Sequence, residues 1–363
     1  MKVIKKYKKM KVNIKLQSSK KMIIKHIAIC IVLFNFIACN TNSFENLLKS
    51  AEKGDAEAQY KIAERYYYNE KDCNKAIDWY EKSANQGYVI AQHKLGLCYL
   101  EGNWVPKNYT KAADYFLKAA NQNYAQSQYK LSAMYHSGSG VPQNDIKAVE
   151  WLQKAANQGL ALAQDLLGQC YEGGLGVEQN YYKAVEWYQK AANQGYPNAQ
   201  VDLGVCYELG TGVVQDYQKA VELYQKAANQ GDKYAQCNMG IYYEKIGNYS
   251  KAIEWCQKSA NQGYDKAQYN LGVYYEKIDD YSKAIEWYQK AADQGNADAQ
   301  NNIGVYYAIS EEYQKAFYWY QKAANQGNSL AQRNIGICYE NGYGVTNTIY
   351  IFKIDYIIQK NNH

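Results

Sequence analysis

The 363-residue chain carries 40 Tyr and only 3 Pro, and Ala, Gln, Lys and Asn recur in blocks. Its formal charge is +6, but residues 1–38 hold ten Lys and no acid; without them 31 basic residues face 35 acidic ones, a net of −4. That balance excludes a basic footprint for nucleic acid in the remainder, and nine Cys without a single C-x-x-C pair exclude a zinc ribbon or thioredoxin-type site.

The first element is an address. Lys-rich residues precede an apolar run of 13 residues from Ile27 to Cys39, interrupted by Asn35. A membrane span needs about 20, so the run predicts the h-region of a secretory signal peptide. Its end, Phe36-Ile37-Ala38-Cys39, resembles the lipobox of bacterial lipoproteins, although Phe36 stands where Leu is usual. The resemblance implies cleavage before Cys39, lipidation of its sulfur and anchoring in the cell envelope, facing periplasm or exterior. An ordinary secreted protein and a cytoplasmic one are the alternatives. Starting at Met22 would give a leader of normal length. Residues 39–43 then form a short tether, reaching under about 20 Å at roughly 3.5 Å per residue.

From 44 to 345 the chain repeats itself. Phe44 to Lys53 reads as a lone helix that caps the first unit. Aligning on Ala-Gln, with Ser127 in place of Ala once, gives Gln59, Gln92, Gln128, Gln164, Gln200, Gln236, Gln268, Gln300 and Gln332, with steps of 33, then 36 four times, then 32 three times. Such a period predicts an all-α solenoid of about nine helix-turn-helix units. The first half of each unit reads A-x-A-Q-x-x-L-G-x-x-Y, as in Ala161–Tyr171, with Ala163, Leu167 and Tyr171 on one helix face. The second reads K-A-x-E-W-Y-x-K-A-A, as in Lys183–Ala192, with Ala184, Trp187, Tyr188 and Ala191 together.

Each second helix ends at Gly, or at Asn123 once, as left-handed termination requires. Seven further Gly, from Gly96 to Gly336, fall inside first helices, where each costs up to about 1 kcal/mol against Ala. That recurrence predicts close helix approach beneath an aromatic ring. Six of seven Trp share one second-helix position, which predicts that they carry the core. Glu150, Glu186, Glu222, Glu254 and Glu286 each precede a Lys at i+4, which predicts ion pairs on a solvated face. Cys98, Cys170, Cys206 and Cys338 share a column too widely spaced for disulfides, so free thiols are expected.

These motifs, with the G-x-G-V loops at Gly138, Gly174, Gly210 and Gly342, resemble the Sel-one-like repeat family, short relatives of tetratricopeptide repeats. Trp104 replaces the second loop Gly in one copy, and the first, sixth, seventh and eighth units lack the loop. The resemblance implies a right-handed α/α superhelix that holds other proteins, acting as a monomer without a cofactor or catalytic residue. After Val345 the expected second helix is missing. Residues 346–363 are either an improvised cap or the product of a frame slip.

Chemistry finds little footing. S-x-x-K occurs at Ser18, Ser50 and Ser127, as chance allows in a Lys-rich chain, and the companion S-D-N and K-T-G motifs are absent. His26, His93, His136 and His363 show no metal spacing; His93 and His136 read as surface residues. The candidate binding groove lies along the first helices. Lys61, Lys94 and Lys130 form a Lys stripe; Asn238, Asn270, Asn302 and Asn334, with Tyr242, Tyr274 and Tyr306 one turn on, form an Asn/Tyr stripe. Asn pairs with both groups of an extended peptide backbone, which predicts a protein or peptide partner. The competing reading is that the stripe packs between repeats. A cell-wall hydrolase or a glycan-binding surface using Tyr or Trp104 remains an alternative to the scaffold.

Overall fold

The structure, a computed structural model, describes residues 44–345. The leader, Cys39 and the tail from residue 346 lie outside the described residues. Two compact units meet in the chain at Gln158 and Gly159.

The first unit holds α1 (44–52), α2 (Ala56–Arg65), one π-helical turn (Tyr66–Glu70), α3 (Cys73–Asn85), α4 (Val89–Glu101), α5 (Tyr109–Asn121), α6 (Ala125–Ser137) and α7 (Asp145–Asn157). The second holds α8 (Ala161–Gly173), α9 (Tyr181–Asn193), α10 (Pro197–Leu209), α11 (Tyr217–Asn229), α12 (Lys233–Lys245), α13 (Tyr249–Asn261), α14 (Asp265–Lys277), α15 (Tyr281–Asp293), α16 (Ala297–Ile309), α17 (Tyr313–Asn325) and α18 (Ser329–Asn341). No strand occurs among the described residues. The fold is a succession of helix-turn-helix repeats, the even-numbered helix first in each.

Local chemistry sets the boundaries. Asn108, Asn144 and Asn180 cap α5, α7 and α9 by accepting from the backbone N–H three residues on, at 2.9, 2.9 and 3.0 Å. The helices stop at left-handed residues as expected, Asn123 included at φ 65°. In the G-x-G-V loop the second Gly is also left-handed, and a Cβ on Gly140 would collide with the Tyr109 carbonyl. Trp104 adopts φ 68° at the corresponding place, a conformation that costs a non-Gly residue about 1–2 kcal/mol.

The mid-helix glycines sit where the pattern placed them. A Cβ at Gly96 would lie 2.6 Å from Phe116 Cε1, and one at Gly168 2.5 Å from Tyr188 Cε1. Gly204, Gly272 and Gly304 lie beneath Tyr224, Tyr288 and Tyr320 in the same way. Two differ: Gly240 faces the Cys256 sulfur, and Gly336 meets no neighbour within 4 Å among the described residues.

The deepest core is not the Trp column. Tyr80, Phe116, Tyr188, Tyr224 and Tyr288, one residue further on, are at most 3% exposed. The Trp rings lie at the core's edge, half-buried except for buried Trp187. The reason is polar. Tyr188, Tyr224 and Tyr288 donate their hydroxyls to Glu172, Glu208 and Glu276 at 2.6, 2.8 and 2.8 Å, so a ring can go deep with its oxygen satisfied.

Candidate functional site

The even-numbered helices carry the predicted groove residues. Lys61 is exposed and pairs with Glu57 at 2.7 Å. Lys94 and Lys130 are half-buried; Lys94 lies 3.5 Å from Glu64 and over the Tyr68 ring, and Lys130 over the Tyr129 ring.

The Asn/Tyr stripe divides. Asn270 Nδ2 donates to Cys237 Sγ at 3.5 Å, one repeat back, and Asn334 Nδ2 to Asn301 at 3.0 Å. Asn302 Oδ1 accepts from Asn301 Nδ2 at 3.4 Å. Tyr274 is buried, and Tyr306 is half-buried, its ring 6.2 Å from that of Tyr288. Asn238 and Tyr242 instead line an apolar cavity of about 220 Å³ with Tyr217, Val221 and Ile246. At its rim Lys245 pairs with Glu208 at 2.9 Å. Burial opposes ionisation of Glu208, but hydrogen bonds from Lys245 and Tyr224 hold its carboxyl below the ordinary value. Asn334 lines a second cavity of about 320 Å³ with Ile309, Tyr313, Ile337 and Tyr343. Among the described residues, Asn238 and Asn334 thus each line a cavity, while Asn270 hydrogen-bonds to the preceding repeat and Tyr274 is buried.

The position before this stripe escaped sequence reading. His93, expected at the surface, is 9% exposed. Its Nδ1 is hydrogen-bonded to buried Ser127 Oγ at 2.8 Å, and its ring packs against Phe116 and Tyr124. Burial, then Lys130 and Lys94, push its pKa down to about 4. At His93 this position faces neighbouring helices rather than water, which corrects the expectation. His136 is exposed and lies 2.7 Å from Asp145. Asp165 occupies the His93 position two repeats on. It is 1% exposed, its Oδ1 has no hydrogen-bond partner among the described residues, and Gln169 bridges it to Asp202 at 3.4 and 3.1 Å. Burial, then the Asp202 charge, raise its pKa to about 7.

An aromatic cluster marks the π-helical turn. The Tyr67 ring lies 4.0 Å from that of Trp104 and 4.6 Å from that of Tyr68, which is 59% exposed. Left-handed Trp104 is 38% exposed. Among the described residues no group of three or more potential metal ligands gathers, and no helix is long and apolar enough to cross a membrane.

Repeated helix pairs, buried aromatic rings under glycine and a face with small cavities define a helical-repeat solenoid. The Sel1 repeat family matches at residues 56–88, 89–124, 125–160, 161–196, 197–232, 233–264, 265–296, 297–328 and 329–347. The chain belongs to the Sel1 repeat family, whose members are typically scaffolds for protein–protein interaction. Among solved structures, a Sel1 repeat protein from Oxalobacter formigenes is similar at 31% identity, over 80% of this chain and 89% of that one, with a TM-score of 0.64. A protective antigen of uropathogenic Escherichia coli with the same repeat fold is 35% identical over 84% of this chain and 76% of that one, with a TM-score of 0.48. No curated protein matches the chain significantly.

Proposed function

We propose that the protein is a non-enzymatic scaffold, anchored in the bacterial cell envelope by lipid on Cys39, that holds an extended segment of another polypeptide along its even-numbered helices. The observation that carries the reading is the cavity at Asn238 and Tyr242. Its apolar walls take one side chain, and Asn238 offers both a donor and an acceptor to the backbone beside it. A photo-crosslinking residue at position 242, introduced in living cells, should trap one dominant partner, and Asn238→Ala should remove the adduct without lowering the melting temperature. Equal trapping by the same residue placed at exposed position 222 would overturn the groove. The anchor is tested by lipid labelling, present in the wild type and lost in Cys39→Ser.

A second reading rests on Tyr67, Tyr68 and Trp104, whose partly exposed rings form a platform for a sugar ring. Glycan binding that needs Trp104 and survives Asn238→Ala would favour it.

A further inference from the structure

The sixth repeat departs from its neighbours at two positions at once. Where Tyr188, Tyr224, Tyr288 and Tyr320 place a ring, α13 has Cys256. Where Asp165, Val201, Tyr269 and Asn301 follow the repeated Gln, α12 has Cys237. Both side chains are buried, at 3% and 0% exposure, in one core cluster, and neither is in a disulfide. With no ring between the helices, the Cys256 sulfur comes down onto Gly240, one turn beyond Cys237 on α12. The two thiols thus pack in one core cluster across α12 and α13.

A buried Cys alone is ordinarily a small packing residue. Here the surroundings treat the two sulfurs differently. Asn270 Nδ2 donates to Cys237 Sγ at 3.5 Å, while Tyr274 packs in the same cluster as Cys256. The neighbouring Cys256 thiol, against the effect of burial, and the Asn270 amide hold the Cys237 thiol below its ordinary value, while Cys237 and burial push the Cys256 thiol up. Cys237 is thus the better thiolate, and the thiolate is the nucleophile in thiol oxidation.

We propose that Cys237 and Cys256 are a disulfide-forming pair that staples α12 to α13 when the protein meets a two-electron oxidant. With hydrogen peroxide, the Cys237 thiolate attacks one oxygen and the O–O bond breaks, leaving a sulfenic acid on Cys237 and hydroxide. The Cys256 sulfur then attacks the sulfenyl sulfur. The S–S bond forms, the S–O bond breaks, and that oxygen leaves as water with the Cys256 proton. Two thiols and one peroxide give one disulfide and two waters. Because both sulfurs are buried, the reaction waits on local opening of the helix pair and runs more slowly than oxidation of half-buried Cys73. The inference does not depend on where the protein resides or on what it binds.

The test treats the folded full-length protein with hydrogen peroxide, blocks remaining thiols and digests with trypsin. Cys237 falls in the peptide Tyr234–Lys245 and Cys256 in Ala252–Lys258, so one linked species reports the pair. The expected result is that species, two hydrogens lighter than the sum of its parts and released by dithiothreitol. The oxidised protein should also melt several degrees above the reduced one, a difference absent in both Cys256→Ala and Cys237→Ser. The proposal fails if no linked species forms once Cys73 is fully oxidised, if it forms only in urea, or if the melting temperature does not rise with it.

Discussion

The side-chain amide of Gln122 donates to Gln92 Oε1 at 2.7 Å, while Gln92 donates onward to the Ala84 carbonyl at 3.1 Å. The arrangement recurs: Gln230 reaches Gln200 at 3.0 Å and Gln326 reaches Gln300 at 2.8 Å, while Gln200 and Gln300 reach Ala192 and Ala292. One amide thus ties three segments: the end of one second helix, the first helix after it and the end of the next second helix. This is the physical reason that A-x-A-Q and N-Q-G recur with so little variation.

Gln92 is 5% exposed. Gln92→Leu keeps the volume but removes the acceptor of the Gln122 amide and one of two donors to the Ala84 carbonyl, which keeps the Gly87 N–H at 3.0 Å, and should destabilise by about 1 kcal/mol. Gln122→Ala removes only the exposed end of the relay and should cost less, below about 1 kcal/mol. Urea unfolding of both variants checks the order, and a larger loss at Gln122 would contradict the relay.

The repeat period, the helix stops and the close approach at Gly168 were legible because each rests on a residue whose backbone cost has no other use. The relay was not, because Gln reads as surface in any composition-based ranking. The charge pattern misled for a related reason. Among the described residues, Lys258 closes the expected ion pair, with Glu254 at 2.9 Å, and also lies over Trp255. Lys154, Lys190 and Lys290 instead lie 3.8, 3.6 and 3.7 Å over Trp151, Trp187 and Trp287. On an exposed helix face the ring three residues back competes with the carboxylate four back, and spacing does not rank the two. At the candidate site the column of Asn residues was legible, but not which repeat leaves space beside it. That depends on neighbouring side chains from three helices, as Asn238 and Asn270 show.

The glycine argument makes opposite predictions at two equivalent positions. Gly168→Ala forces a methyl group into the Tyr188 ring, whose hydroxyl is held by Glu172. It should destabilise by about 1–3 kcal/mol through overpacking. Gly336→Ala meets nothing within 4 Å among the described residues and should stabilise α18 by up to about 1 kcal/mol through helix propensity. Thermal unfolding of the two variants gives shifts of opposite sign. Two losses of similar size would mean that the glycines serve the backbone and not the rings.

Asp165 gives the protein a pH dependence whose sign can be worked out. Its pKa rises from 3.8 to about 7, chiefly through burial and then through the Asp202 charge. Below pH 4 the carboxyl is protonated in both folded and unfolded chains, so burial brings no charge penalty. As pH rises from about 4 to about 7, the unfolded chain releases the proton while the folded one retains it. Stability therefore falls across that window and levels off above it. The full loss is a few kcal/mol, at about 1.4 kcal/mol per pKa unit. Asp165→Asn removes the titration and leaves Gln169 an acceptor. The variant should match the wild type near pH 4 and exceed it at pH 8, with chemical denaturation at the two pH values as the check. A wild-type advantage at pH 8 would mean that the Asp165 anion is stabilised by a partner. Among the described residues Oδ1 has no partner and Oδ2 accepts from the neutral Gln169 amide at 3.4 Å, too weak a contact to offset burial of the charge.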